Sequence, residues 1–251
     1  MSKPLLKQAI QQELSLIHQH LKLYVADREA ERLHQIRVSV KKIRAYIYLT
    51  EITFHVKYTE DHLKKLFKTA GQLRELQIAV VLVEAIRERP LNFINRLKKE
   101  TQQNEERFAG QCKTFRKELK KNERSFIFPT RLAPKEELIR FFKQEWKTCQ
   151  KLLLKHDRMA LHEYRRKLKY MMYAFNILPK KLRNQISIDK KSIDKMQEKI
   201  GDWHNLHSLI EFLQQQSKDT EVQDILRNLK YEETKKFKEI QEYIQNHRSI
   251  F

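Results

Sequence analysis

Glycine occurs only three times and proline five times in this 251-residue chain. Average usage is roughly 7% and 5%, so the residues that close tight turns and interrupt helices are scarce. With abundant Leu, Lys, Glu, Gln and Ile, that scarcity favours long helices over strands, and it leaves no glycine-rich loop to cradle a nucleotide phosphate. Cysteine is nearly absent as well. Cys112 and Cys149 form no C-x-x-C pair, which points to a reducing compartment and buried thiols rather than a disulfide framework. No run approaches the ~18 uncharged apolar residues of a membrane span. The opening "MSKPLLKQAIQQEL" places Gln and Glu where a signal peptide needs a continuous apolar core. A soluble, cytoplasmic, all-α protein is expected.

Carboxylates are also in deficit. Fifty-two Lys and Arg stand against 32 Asp and Glu, a formal net charge of +20. Such an excess costs self-repulsion in a compact state and signals a polyanionic partner: nucleic acid, anionic lipid or a phosphate polymer. Where the cations lie decides whether they form a site or merely a basic surface.

Apolar spacing predicts eight helical segments, near 4–25, 28–54, 58–88, 90–122, 134–155, 157–178, 187–215 and 219–247. Asp27, Asp157 and Ser187 are the expected N-terminal signals. Pro90 suits the start of the fourth helix, and Pro179 is expected to end the sixth. "NERSFIFPTRLAP" (Asn122 to Pro134) is the clearest break. It divides one domain into a half at 1–122, a linker at 123–133 and a half at 134–251. The halves repeat: His34 and His162 lie 128 residues apart, Gly71 and Gly201 lie 130 apart. A glycine inside a helix costs roughly 1 kcal/mol relative to Ala, so each is expected to permit a close backbone approach. Two tandem four-helix bundles related by a pseudo-twofold axis follow as the architecture.

Helical geometry then sorts the cations. At about 100° per residue, His34, Arg37, Lys41 and Arg44 fall within an arc of about 80°. Beside them runs the core stripe Leu33, Ile36, Val40, Ile43 and Ile47. In the second half His162, Arg165 and Lys169 repeat the basic track, next to Leu161, Tyr164, Leu168 and Phe175. A merely solubilising face belongs opposite the core. These tracks border it, and a basic cleft or channel is expected there.

The twofold H-x-x-R-x-x-x-K/R pattern in a basic helical chain resembles the CHAD family (conserved histidine α-helical domain). "GQLRELQIAVVL" (Gly71 to Leu82) and "GDWHNLHSLIEFL" (Gly201 to Leu213) are similar to that family's second motif. The resemblance covers essentially the whole chain. It implies two four-helix bundles whose basic inner surfaces bind inorganic polyphosphate, and association with polyphosphate-containing granules. Departures are visible. The family's second basic pair maps to Lys41 and Lys42, but then to Lys169 and Tyr170; its later arginine maps to Arg44, then to Met172. Arg166, about 40° from His162 around the helix, is placed to compensate, whereas Lys167, at about 140°, is not. The acidic positions of the second motif read Glu75, Gln77 and Asn205. Binding is therefore expected to be lopsided toward the first half.

Polyphosphate offers one charge per phosphate and no base edges, so cations on rigid elements suffice to hold it. Arginine supplies forked donors and lysine a mobile point charge. Arg37, Lys41, Arg44, Arg165, Arg166 and Lys169 are the first candidates, with His34, Lys42 and His162 beside them. Lys65 and Lys195, each six residues before its glycine, and Arg74 with its counterpart His204 extend the set. The histidines are open to two roles, neutral positioner or conditional phosphate donor.

Catalysis is not expected. "HEYRR" lacks the second histidine of H-E-x-x-H. His204 and His207 share a helical face without further evident ligands, so no metal and no cofactor are expected. The E-x-E-x-K signature of the CYTH triphosphatases often fused to this family is missing from the sequence, and hydrolysis needs carboxylates for a metal ion where these tracks are cationic. The alternative is an RNA- or other nucleic-acid-binding helical protein, with Tyr46, Tyr48, Tyr170 and Trp203 as stacking candidates. A structural adaptor with a docking groove ranks third.

Overall fold

A computed structural model describes residues 5–86, 90–123, 128–129, 131–186, 188–215 and 220–246. Among them the secondary structure is entirely helical: α1 (Leu5–Asp27), α2 (Ala30–Phe54), α3 (Asp61–Glu84), α4 (Leu91–Glu123), α5 (Lys135–Leu153), α6 (Arg158–Asn176), α7 (Lys180–Arg183), α8 (Lys190–Gln215) and α9 (Thr220–Asn246). Eight of these match the expected segments. The ninth, α7, is a single turn whose N-terminal flank is Pro179, a residue that fixes its own φ and suits a helix start. Four residues are too few to show apolar periodicity.

Local chemistry sets the boundaries. The Asp157 carboxylate accepts the Ala160 amide at 2.7 Å and caps α6. Ser187 lies outside the described residues; Asp189 caps α8, accepting the Ser192 amide at 3.2 Å and its hydroxyl at 2.7 Å. Asp27 differs from expectation. It is the last residue of α1, and α2 begins only at Ala30. Its carboxylate serves the turn instead, accepting the Glu29 amide at 3.1 Å and Arg32 Nε at 3.0 Å, beside Arg28 at φ 56°.

The chain divides into two compact units, and each takes segments from both sides of the central break. The first comprises Met1–Gln77, Lys99–Lys143 and Tyr170–Ile186; the second comprises Ile78–Lys98, Gln144–Lys169 and Ser187–Phe251. Within the first unit α1 and α2 pack together. Ile17 and Leu21 of α1 and the whole α2 stripe of Leu33, Ile36, Val40, Ile43 and Ile47 are 0% exposed. Each such side chain contributes roughly 1.5–3 kcal/mol by leaving water. Tyr24 meets Phe108 of α4 edge-on at 5.2 Å between ring centroids. Phe128, from the break between α4 and α5, is buried and stacks on Tyr58 at 4.9 Å.

In the second unit α8 packs on α9. Tyr164 and Leu168 of α6, Met196, Ile200 and Trp203 of α8 and Val222 of α9 are 0% exposed. Both cysteines are free and buried. Burial pushes the Cys112 thiol up to about 11 and the Cys149 thiol to about 12, so neither is a ready nucleophile.

Candidate functional site

In the first unit the basic track of α2 meets α3 at Phe67. Arg37 lays its guanidinium carbon 4.3 Å from the Phe67 ring centroid, Lys41 Nζ lies 5.7 Å from it and the Arg44 guanidinium carbon 5.9 Å. Arg37 Nη1 also donates to the Phe67 carbonyl at 3.0 Å. Four residues along α3, Gly71 makes room for this arginine: a methyl built at Gly71 collides with Arg37 Nη1 and lies 3.1 Å from its Cζ. Burial pushes the Arg37 guanidinium below its usual range; the Glu75 charge opposes this and the Arg74 charge adds to it. Arg74 Nε is itself buried and has no hydrogen-bond partner among the described residues.

The neighbouring cations differ in how far their charge is spent locally. Arg44 Nε donates to Glu60 at 2.8 Å, from just before α3. Lys42 turns to the other side of α2 and pairs with the buried Glu13 of α1 at 2.8 Å. Lys65 faces α4, 3.4 Å from Glu118 and 6.0 Å from the Phe115 ring centroid. His34 is exposed, and its charge is among those holding the Glu31 carboxyl below the usual range, after the Gln35 hydrogen bond.

The second unit carries its own track on α6. His162 and His204 of α8 pack ring to ring, centroids 4.8 Å apart and planes at 68°. Burial, then the Arg165 charge, lowers the His162 pKa. One turn beyond Arg165, Lys169 is half-buried, and burial followed by the Arg165 charge pushes its ammonium down to about 8. Arg166 folds back on Glu163 in a two-point pair at 2.7 and 2.9 Å. Lys167 donates to Glu145 of α5 at 3.0 Å. That pair parallels Lys42 with Glu13 and repeats the joining of the first two helices of each half. Lys195 faces α9, 5.6 Å from the Tyr243 ring centroid, as Lys65 faces α4.

One expectation fails in both units. Among the described residues a methyl at Gly201 meets nothing within 4 Å and one at Gly71 meets a side chain, so the close backbone approach expected at both glycines is found at neither. At Gly71 it is Arg37, a side chain from α2 and not a neighbouring backbone, that fills the space.

His204 and His207 do not act as a pair. His204 faces His162, while His207 stacks on Trp203 at 5.1 Å and lies 3.3 Å from Glu233 through Nδ1. Among the described residues no group of three His, Cys, Asp or Glu side chains is placed to hold a metal ion. Of the aromatics considered as base-stacking platforms, Tyr46 is 5% exposed and Trp203 0%; neither presents a ring face to solvent. Gln77, at an acidic position of the second motif, is buried and donates to Glu105 at 2.8 Å. Phe67 escaped the sequence reading because a phenylalanine at helical spacing reads as core. The signal that exposes it is the pairing of an aromatic with a glycine one turn later, opposite a basic track.

Among the described residues no helix is long and apolar enough to cross a membrane. No curated protein matches the chain. Its fold is similar to the crystal structure of the CHAD domain from the plant Ricinus communis, with a TM-score of 0.66 and 16% sequence identity over 98% of this chain and 87% of that one. The sequence profile of the CHAD domain matches residues 8–214. With the duplicated H-x-x-R-x-x-x-K track, the second glycine motif and the all-helical fold in place, the chain belongs to the CHAD domain family.

Proposed function

We propose that this protein binds inorganic polyphosphate on its basic tracks and does not consume it. The observation that carries this reading is the gathering of Arg37, Lys41 and Arg44 within 5.9 Å of one ring centroid. Three cations of α2 gathered over one ring of α3 match a ligand that presents closely spaced charges along a flexible chain. Their ordering is complete before the ligand arrives, so little rotamer freedom remains to be lost on binding. The second track adds Arg165 and Lys169, with His162 able to gain a proton when a bound anion offsets the positive charge around it. Each contact is charge to charge, with no donor set that distinguishes one base from another. Residence on polyphosphate-containing granules is the cellular consequence of this reading.

A competition series tests it. Labelled long-chain polyphosphate is displaced at fixed salt by unlabelled polyphosphate, tRNA, heparin and ATP. Polyphosphate is expected to compete best, with affinity falling steeply as salt rises. Equal or tighter binding of tRNA makes the nucleic-acid reading the correct one. Incubation with polyphosphate and Mg²⁺ or Mn²⁺ is expected to release no phosphate above a mock purification; release that scales with protein and is lost with a track substitution makes the protein an enzyme.

A further inference from the structure

From the notch at Gly71 we infer that Gly71 and Phe67 are positioning residues: they lock Arg37 in one orientation and so make the first track the main anchor for the anion. This inference rests on the polyphosphate reading and adds to it the element that creates the anchor. An exposed arginine has several rotatable bonds, and holding them for a contact has an entropic cost. Arg37 has already lost that freedom. Its guanidinium is stacked on the Phe67 ring, one Nη1 hydrogen is committed to the Phe67 carbonyl, and the space it occupies is the space a side chain at residue 71 would fill. The guanidinium has five N–H donors in a fixed fork. Committing one to the carbonyl fixes the direction in which the others point.

The second unit lacks this device. Residue 197, which corresponds to Phe67, is Gln, and a methyl at Gly201 meets no atom within 4 Å among the described residues. The aromatic and the filled glycine notch of the first unit therefore have no counterpart at the matching positions of α8. The repeat that looks symmetric in sequence is unequal at these two positions, and the arginine stacked on Phe67 belongs to the first unit.

The test uses the full chain and fluorescent long-chain polyphosphate, with Gly71→Ala, Phe67→Leu, Gly201→Ala, Arg37→Ala and the double variant Arg37→Ala with Gly71→Ala. Thermal melts establish which variants fold. Gly71→Ala and Phe67→Leu are each expected to weaken binding about tenfold or more, the loss of one charged contact. Gly201→Ala is expected to stay within about twofold of the natural protein. In the Arg37→Ala background, Gly71→Ala is expected to change affinity less than about twofold, since the two substitutions remove the same interaction. A purely structural role would instead give equal losses in both backgrounds, and that result overturns the inference. So does natural-strength binding by Gly71→Ala. If Gly71→Ala does not fold, Phe67→Leu with and without Arg37→Ala decides by the same comparison. Failure of the unsubstituted chain to bind polyphosphate at all strikes the functional reading itself, and is distinguishable from binding that ignores the notch.

Discussion

Glu233 of α9 accepts Nε and Nη2 of Arg158 at 2.8 Å each, and it also takes Trp203 Nε1 at 2.6 Å. With His207 Nδ1 at 3.3 Å, one buried carboxylate ties α6 and α8 to α9 in the second unit. Burial pushes the Glu233 carboxyl up, but the Arg158 and Trp203 hydrogen bonds, with the charges of Arg158 and His207, outweigh it and hold the group below its usual range. The cluster is built from Arg158, Trp203, His207 and Glu233, none of them assigned to the anion. It is the fastening on which the second track's geometry depends.

Glu233→Gln is therefore expected to lower stability by about 1–3 kcal/mol, the cost of leaving a buried donor unsatisfied, as read by urea unfolding. The pH dependence has a definite sign. A carboxyl whose folded pKa is depressed contributes stability above its unfolded value and loses it as pH falls through the folded one. Emission from Trp203 in a Trp146→Phe protein reports this directly, because the indole N–H loses an ionised acceptor on acidification. An emission unchanged by Glu233→Gln would show that the indole contact has no part in the cluster.

The core of both tracks was legible in sequence because burial follows the 3.6-residue period. Leu33, Ile36, Val40, Ile43 and Ile47 lie on one line and are all fully buried. The partners of the cations were not legible. Lys42 and Lys41 are adjacent and chemically identical, yet a rotation of about 100° sends one to Glu13 and leaves the other over Phe67. Arg44 finds Glu60 across a loop whose path no periodicity encodes. The two helix-interior glycines read alike, and only the position of Arg37 separates them. Helix faces are set by local spacing; which charge meets which depends on how helices pack, and that information is spread over distant residues.

Glu60 offers a gain of affinity. It holds Arg44 at 2.8 Å and its side chain is only 15% exposed, so it competes with an incoming phosphate for the same guanidinium. Glu60→Gln is expected to tighten polyphosphate binding about three- to tenfold by removing a repulsive charge beside the ligand. A stability loss of about 1 kcal/mol or less accompanies it, since the pair is partly hydrated. Calorimetric titration and denaturant unfolding measure the two effects. Weaker binding by Glu60→Gln would mean that the carboxylate's orientation of Arg44 outweighs its competition.

Lys169 couples binding to protons. Burial and Arg165 push its ammonium down to about 8, and a bound polyanion restores the charged form. At about pH 8.5 polyphosphate binding is expected to draw in roughly 0.5–0.8 proton, measured by titration in buffers of different ionisation enthalpy. Affinity falls as pH rises through about 8. Stability moves oppositely: the cost of burying the ammonium is fully present below the folded pKa and is relieved as pH rises toward the unfolded value. Lys169→Arg keeps its charge throughout and is expected to abolish the proton uptake. Uptake that persists in that variant assigns the linkage to another group.

The last prediction separates position from total charge. Arg37→Gln with Lys169→Gln removes two positive charges, one from each track. Lys235→Gln with Lys238→Gln also removes two, from exposed positions on α9. A diffuse field created by the net +20 weakens equally in both, by a small factor that added salt erases. Close contacts behave otherwise. Each is worth about 1.5–3 kcal/mol, so the track variant is expected to lose about a hundredfold or more in affinity while the α9 variant stays within about threefold. Circular dichroism and thermal melts come first, because Arg37 is packed against Phe67 and Gly71 and its loss also affects folding. The slope of log affinity against log salt supplies a second measure, since it counts the phosphates neutralised. It is expected to fall by about one to two in the track variant and to stay unchanged in the other. Equal losses and equal slopes in two equally folded proteins would leave the excess charge as a basic surface with no site in it.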